Sequence, residues 1–146
     1  MLRSHAAGFT LIELGVVLVL MSIVVAIGAG AFGRYNDHLA LEGATQSIAS
    51  RLTLTRERAM ATRLARTMKF AAATQGYDYR VEMAGVTKTG WRLPARITYA
   101  WLSGTINSAT YTSDGRCSAS GLIILQDPDG ARDTVSVLAS GLILTQ

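Results

Sequence analysis

A single glutamate, Glu13 in "GFTLIEL", stands at the head of a run that carries no charge for 19 residues, Leu14 to Phe32. A carboxylate inside a membrane-length helix costs about 2.5–3.5 kcal/mol on insertion scales when central, so one retained there needs a partner or a task. Six bases, Arg51, Arg56, Arg58, Arg63, Arg66 and Lys69, face the single acid Glu57 over residues 51–69. Such a patch attracts DNA phosphates or an acidic surface of another subunit, or is a solvated helix face whose alkyl stems cover apolar surface. The run "DPDG", Asp127 to Gly130, begins like a calcium loop, but no regular oxygen ligands follow and the composition is that of a hairpin turn. Cys117 is the lone cysteine, which excludes an intramolecular disulfide. With His5 in the first eight residues, His38 is the remaining base, and a Cys117–His38 dyad would need a helix and a late loop to converge without an orienting motif. No Gly-rich phosphate loop, zinc spacing or paired-carboxylate motif appears, and the chain reads as a non-enzyme with no cofactor and no metal.

The elements that position these residues follow from composition and periodicity. Of 146 residues, 49% are hydrophobic and only 16% charged, and one concentrated apolar segment accounts for the shift. Counted from Phe9, that segment is a helix of about 36 Å at ~1.5 Å per residue, enough to cross a bilayer core of ~30 Å with some tilt. It has three readings. In the first it is an uncut signal anchor with Arg3 on the cytoplasmic side. In the second it is a secretory signal peptide cut at the small residues Ala29, Gly30 and Ala31, against which stand Glu13 and a run longer than the usual ~7–15 residues. In the third, "MLRSHAAG" is a leader removed at the Gly8–Phe9 bond.

Beyond the apolar run helical spacing continues. Leu41, Ile48, Leu52 and Ala59 fall on one stripe of a 3.6-residue period, with a polar face opposite. The expected organisation is a leader at 1–8, a transmembrane and assembly helix at 9–33, its amphipathic continuation at 34–65, and a β domain at 66–146. Gly28, Gly30 and Gly33 each cost about 1 kcal/mol in a helix interior, which makes them the expected place of bending during assembly. After Ala65 the period becomes two. Strands are expected at Thr67–Ala72, Tyr77–Met83, Arg96–Trp101, Ala109–Thr112, Leu122–Gln126, Thr134–Leu138 and Leu142–Leu144, separated by "TQG", "TKTG", "SDG", "DPDG" and "SG". The fold class is α+β: a long helix packed on an antiparallel domain of about seven short strands.

"GFTLIEL" with its apolar run resembles the class III signal of the type IV pilin superfamily. The helix end "RLTLTRERAMATRLARTMKF" and the hairpin "SGLIILQDPDGARDTVSVL" are similar to the GspH/FimT-type pseudopilins and minor pilins. The resemblance implies a pilin-like fold, cleavage after Gly8 by a prepilin peptidase, and N-methylation of Phe9. It also implies that Glu13 faces the terminal amine of a neighbouring subunit as the helices pack into a filament. The new Phe9 amine lies four residues before Glu13, on the same helix face, and the helix dipole favours a first-turn carboxylate by ~0.3–1 kcal/mol. An unmatched carboxylate in that dry setting is penalised, so the pair checks register.

The function so implied is a non-catalytic minor subunit of a type II secretion pseudopilus or a type IV pilus. It would be single-pass in the bacterial inner membrane, with its C-terminal domain in the periplasm or on an extracellular filament. Its partners would be the prepilin peptidase and other pilin or pseudopilin subunits. One alternative is a minor pilin acting in DNA uptake or adhesion; in FimT-like minor pilins DNA contact is associated with basic residues near the C-terminus, whereas this chain ends "SGLILTQ". Another is a membrane-anchored periplasmic binding domain outside any filament.

Overall fold

The computed structural model describes residues 10–71, 76–103 and 106–146, with the backbone alone at 29–31. Helix α1 spans Leu11–Thr62. The described chain divides into two units, one ending at Asn36 and the other comprising Asp37–Gln146.

In the first unit α1 is apolar all round and its large side chains are exposed, from Leu11 at 90% to Ile27 at 74%. It is the one helix among the described residues long and apolar enough to cross a membrane, with a mean hydropathy of 2.7 in its most apolar window. The backbone stays helical through Gly28, Gly30 and Gly33. A methyl group at Gly28 or Gly33 would meet nothing within 4 Å, so packing within the chain does not require glycine there.

In the second unit the expected stripe is the buried face of α1. Leu41, Ile48, Leu52 and Ala59 are 2%, 0%, 0% and 0% exposed. Buried Thr45 and Thr55 satisfy their hydroxyls on the carbonyls of Leu41 and Arg51 four residues back. The helix ends at Thr62, where Arg63 takes a positive φ of 55°, close to the end expected from the sequence.

Eight strands follow: β1 Arg66–Phe70, β2 Tyr79–Met83, β3 Val86–Trp91, β4 Thr98–Leu102, β5 Ser108–Tyr111, β6 Gly121–Gln126, β7 Arg132–Val137 and β8 Ile143–Thr145. They form two antiparallel sheets, ordered β3-β2-β1-β5 and β4-β6-β7-β8. Met68, Phe70, Tyr79, Val81 and Tyr111 of the first sheet and Ile123, Leu125, Val135 and Val137 of the second join the helix stripe in one core.

The strand count corrects the expected seven. "TKTG" is not a separator but the body of β3, whose hairpin partner is β2 through a two-residue turn at Ala84 and Gly85. Both turn residues have positive φ, 53° and 76°, as a type I′ turn requires, and Ala-Gly carries little of the usual Asn-Gly signal. As an edge strand rich in threonine and lysine, β3 also offers few buried apolar residues by which to find it. The strand expected from Arg96 starts at Thr98 instead, because Arg96 itself has φ 86° and turns the chain. The remaining strands lie within about two residues of the expected ones, except that Ala72 is outside the described residues.

"DPDG" is a hairpin turn between β6 and β7. Gly130 N–H donates to the Asp127 carbonyl at 3.2 Å, and Gly130 has φ 89°. The buried Asp127 carboxylate accepts from Ala131 N–H at 2.8 Å, so the first oxygen of the calcium-like pattern is committed to closing the turn.

Candidate functional site

Glu13 sits in the first turn of α1, and its surroundings are built by Thr10. Thr10 N–H and Thr10 Oγ1–H both donate to Glu13 Oε2 at 3.0 Å, while Glu13 N–H donates to Thr10 Oγ1 at 3.3 Å. This is a reciprocal capping box, which satisfies orphan donors at the helix start and fixes the carboxylate against the helix end. The spacing Thr-x-x-Glu at Thr10–Glu13 was the available sequence signal for it. Gly8 and Phe9, the expected cleavage and methylation positions, lie outside the described residues.

The basic run does not form one patch. Arg56 turns into the fold, its Nε donating to the Gly115 carbonyl at 2.9 Å. Lys69 lies on the opposite face of the first sheet, 2.8 Å from Glu82 Oε2, while Arg80 Nε donates to Glu82 Oε1 at 2.8 Å. Lys69, with Arg80 beside it, holds the Glu82 carboxyl below its ordinary range. Arg63 is exposed at the helix end. The other three, Arg51, Arg58 and Arg66, line one small cavity together with Lys88 of β3. Lys88 escaped the sequence reading because β3 did.

Arg51 is held in place by aromatic and polar neighbours. Its guanidinium carbon lies 4.0 Å from the centroid of the Trp91 ring, and Trp91 stacks on Tyr79 at 5.5 Å. Arg51 Nε donates to Ser47 Oγ at 3.3 Å, and Ser47 Oγ lies 3.3 Å from the Tyr79 hydroxyl. The groove beside this stack, about 500 Å³, runs between α1 and the residues that follow β3, including Leu93 and Pro94.

Cys117 is buried, bridged to Tyr111, with its N–H on the Ala139 carbonyl at 3.0 Å. Burial pushes its thiol up from the ordinary value, which disfavours the thiolate a nucleophile needs. His38 is exposed on α1, and among the described residues no hydrogen bond joins the two.

Residues 3–29 match the model described as the prokaryotic N-terminal methylation motif. The fold is that of a type IV pilin. Among solved structures the chain is similar to the type IV minor pilin FimU of Pseudomonas aeruginosa. One crystal form has 17% identity and a TM-score of 0.59 over 77% of this chain and 92% of that one. A second has 16% identity and a TM-score of 0.57 over 73% and 92%. No curated protein matches the chain.

Proposed function

We propose that this protein is a non-catalytic minor subunit of a type IV filament, inserted in the inner membrane by residues 9–33. In this reading prepilin peptidase cuts after Gly8, Phe9 is methylated, and the helix then packs among those of other subunits. The observation that carries the reading is the methylation motif over residues 3–29 on a chain whose fold is pilin-like. The type IV minor pilin FimU as a structural relative favours a pilus over a secretion pseudopilus.

The capping box supports a part for Glu13 in assembly. Thr10 occupies Oε2, while Oε1 takes no hydrogen bond among the described residues. On this reading Oε1 receives the terminal amine of the neighbouring subunit, and a charge-assisted bond of that kind is about twice as strong as a neutral one. A subunit out of register leaves the carboxylate unmatched among apolar helices, which is penalised.

Intact mass and N-terminal sequence of the protein from its own membranes test the processing. A start at Phe9 carrying one methyl group is the expected result, and a start at Met1 or Phe32 would overturn it. Glu13→Ala should still be cut after Gly8 and yet be missing from sheared filaments; normal incorporation would remove the register role.

A further inference from the structure

Four cations surround one cavity of about 30 Å³ without a carboxylate among them. Arg51 and Arg58 are two turns apart on the same face of α1. Arg66 opens β1 on the side of the sheet that carries Met68. The fourth, Lys88, arrives through a bulge: Val81 pairs with Thr89 and Glu82 with Thr87, so Lys88 is the extra residue of β3. Strict alternation from Thr89 would send Lys88 to the opposite face, but the bulge turns it into the cavity. The ion pairs of the described residues use Lys69, Arg80, Arg96 and Arg116 instead. Arg66 Nε is buried with no hydrogen-bond partner, an unmet donor of the kind that calls for a ligand.

We propose that this cavity is a socket for an acidic side chain of another protein subunit, whose adjoining segment lies in the groove past Trp91. Guanidinium forks match the two oxygens of a carboxylate or a phosphate equally well, so size decides between them. A space of about 30 Å³ is small, and a carboxylate, two oxygens on a single stem, asks least of it. A phosphodiester brings two further ester arms to the mouth where a carboxylate side chain brings one stem, so the small space favours the carboxylate. The groove of about 500 Å³ shares Arg51 and Trp91 with the socket, and its Leu93 and Pro94 offer apolar surface to the residues flanking the acid. The inference rests on the filament reading only for the identity of the partner; the socket's preference for a carboxylate does not depend on it.

The test uses the full chain in non-ionic detergent with Trp101→Phe, which leaves Trp91 as the single tryptophan reporter. Trp101 is 62% exposed on β4, away from the socket. The probe is a capped peptide of alternating Ala and Glu, compared with its Ala/Gln counterpart. The Glu peptide should change Trp91 fluorescence saturably and bind about tenfold more tightly than the Gln peptide, a preference that weakens as salt rises. Lys88→Gln and Arg58→Gln, both at exposed positions, should each weaken it by about tenfold with the circular dichroism spectrum unchanged. Equal binding of the two peptides, absence of a saturable response, or undiminished binding by both variants would overturn the socket. Stronger Lys88-dependent binding of duplex DNA, or of inorganic phosphate, than of the Glu peptide would overturn the acidic segment as its ligand. Filament assembly is not read in this assay, so a failure here leaves the filament reading standing, and a failed Glu13 experiment leaves the socket.

Discussion

The two stretches of α1 are built from similar apolar residues and used in opposite ways. In residues 11–28 and 32–36 they lie exposed, whereas from Asp37 onward a single stripe, Leu41 to Ala59, is covered by two sheets of the same chain. One stretch finds no burial among the described residues, which on the proposed function falls to a bilayer or to neighbouring helices, and the other completes its burial internally. The same substitution should therefore have different consequences in each. In the second it changes folding; in the first it leaves the fold in place and, on the proposed function, changes what the helix can join.

The sharpest way to break this comparison is a matched pair. Ile48→Ala removes a fully buried side chain and should cost about 2–5 kcal/mol, read from denaturant unfolding in detergent. Ile23→Ala, at a side chain 51% exposed in this chain, should leave that transition in place. Equal losses would mean that the two stretches unfold as one body.

The stripe was legible in the sequence because helical period and burial reinforce each other: every expected core position on α1 is buried. So was Glu13, as a charge out of place. Less legible was whatever depends on backbone conformation or on cross-chain geometry. The β2–β3 hairpin turns at Ala-Gly without the usual Asn-Gly signal, and its loss from the reading removed Lys88 with it. The basic run looked like one patch because six bases in nineteen residues are close in sequence. In space the helix turns Arg56 inward to Gly115, and the alternation of β1 puts Lys69 on the other side of the sheet from Arg66. The capping box at Thr10 is ambiguous in sequence for a different reason: the same Glu13 that completes Thr-x-x-Glu also stands as a lone charge before an apolar run, and one residue carries both signals.

A somewhat smaller effect than the core deletion should follow at Gly141, where the turn before β8 meets the helix-bound loop at Gly115. Gly141 has φ 82°, and a β-carbon there would collide with the Gly115 carbonyl and with Arg56 Nε. Gly141→Ala should cost about 2–3 kcal/mol, from backbone strain plus disturbance of the Arg56–Gly115 bond, and should lower the thermal midpoint of the second unit. An unchanged midpoint would show that the loop yields without cost. At Glu82 the effect depends on pH. Its carboxyl is depressed in the folded state, so the stabilisation it contributes is present above the unfolded carboxylate range, near pH 4.3, and is lost as pH falls through the lower folded value. Stability should decline on acidification below about pH 5. Asp114, held down by the Thr112 hydroxyl, adds a slope of the same sign, so the difference between wild type and Glu82→Gln isolates Glu82. Superimposable slopes for the two proteins would exclude the Lys69–Glu82–Arg80 cluster as the source.

The smallest expected change is a gain, and it lies where the helix gives way to the sheet. Arg63 ends α1 with φ 55°, a left-handed conformation that costs a non-glycine residue roughly 1 kcal/mol. Its side chain is exposed and does not line the socket, so glycine loses little packing there. Arg63→Gly removes the steric penalty but adds freedom to the unfolded chain, and the two oppose each other. The net should be a stabilisation of about 0.5 kcal/mol, visible as a small rise in the denaturant midpoint at constant slope. Binding of the Glu peptide should be unaffected, because Arg63 is outside the socket. A loss of stability would mean that the Arg63 side chain contributes more to the helix end than its exposure indicates. A loss of peptide binding would extend the acidic partner's footprint from the socket to the end of the helix.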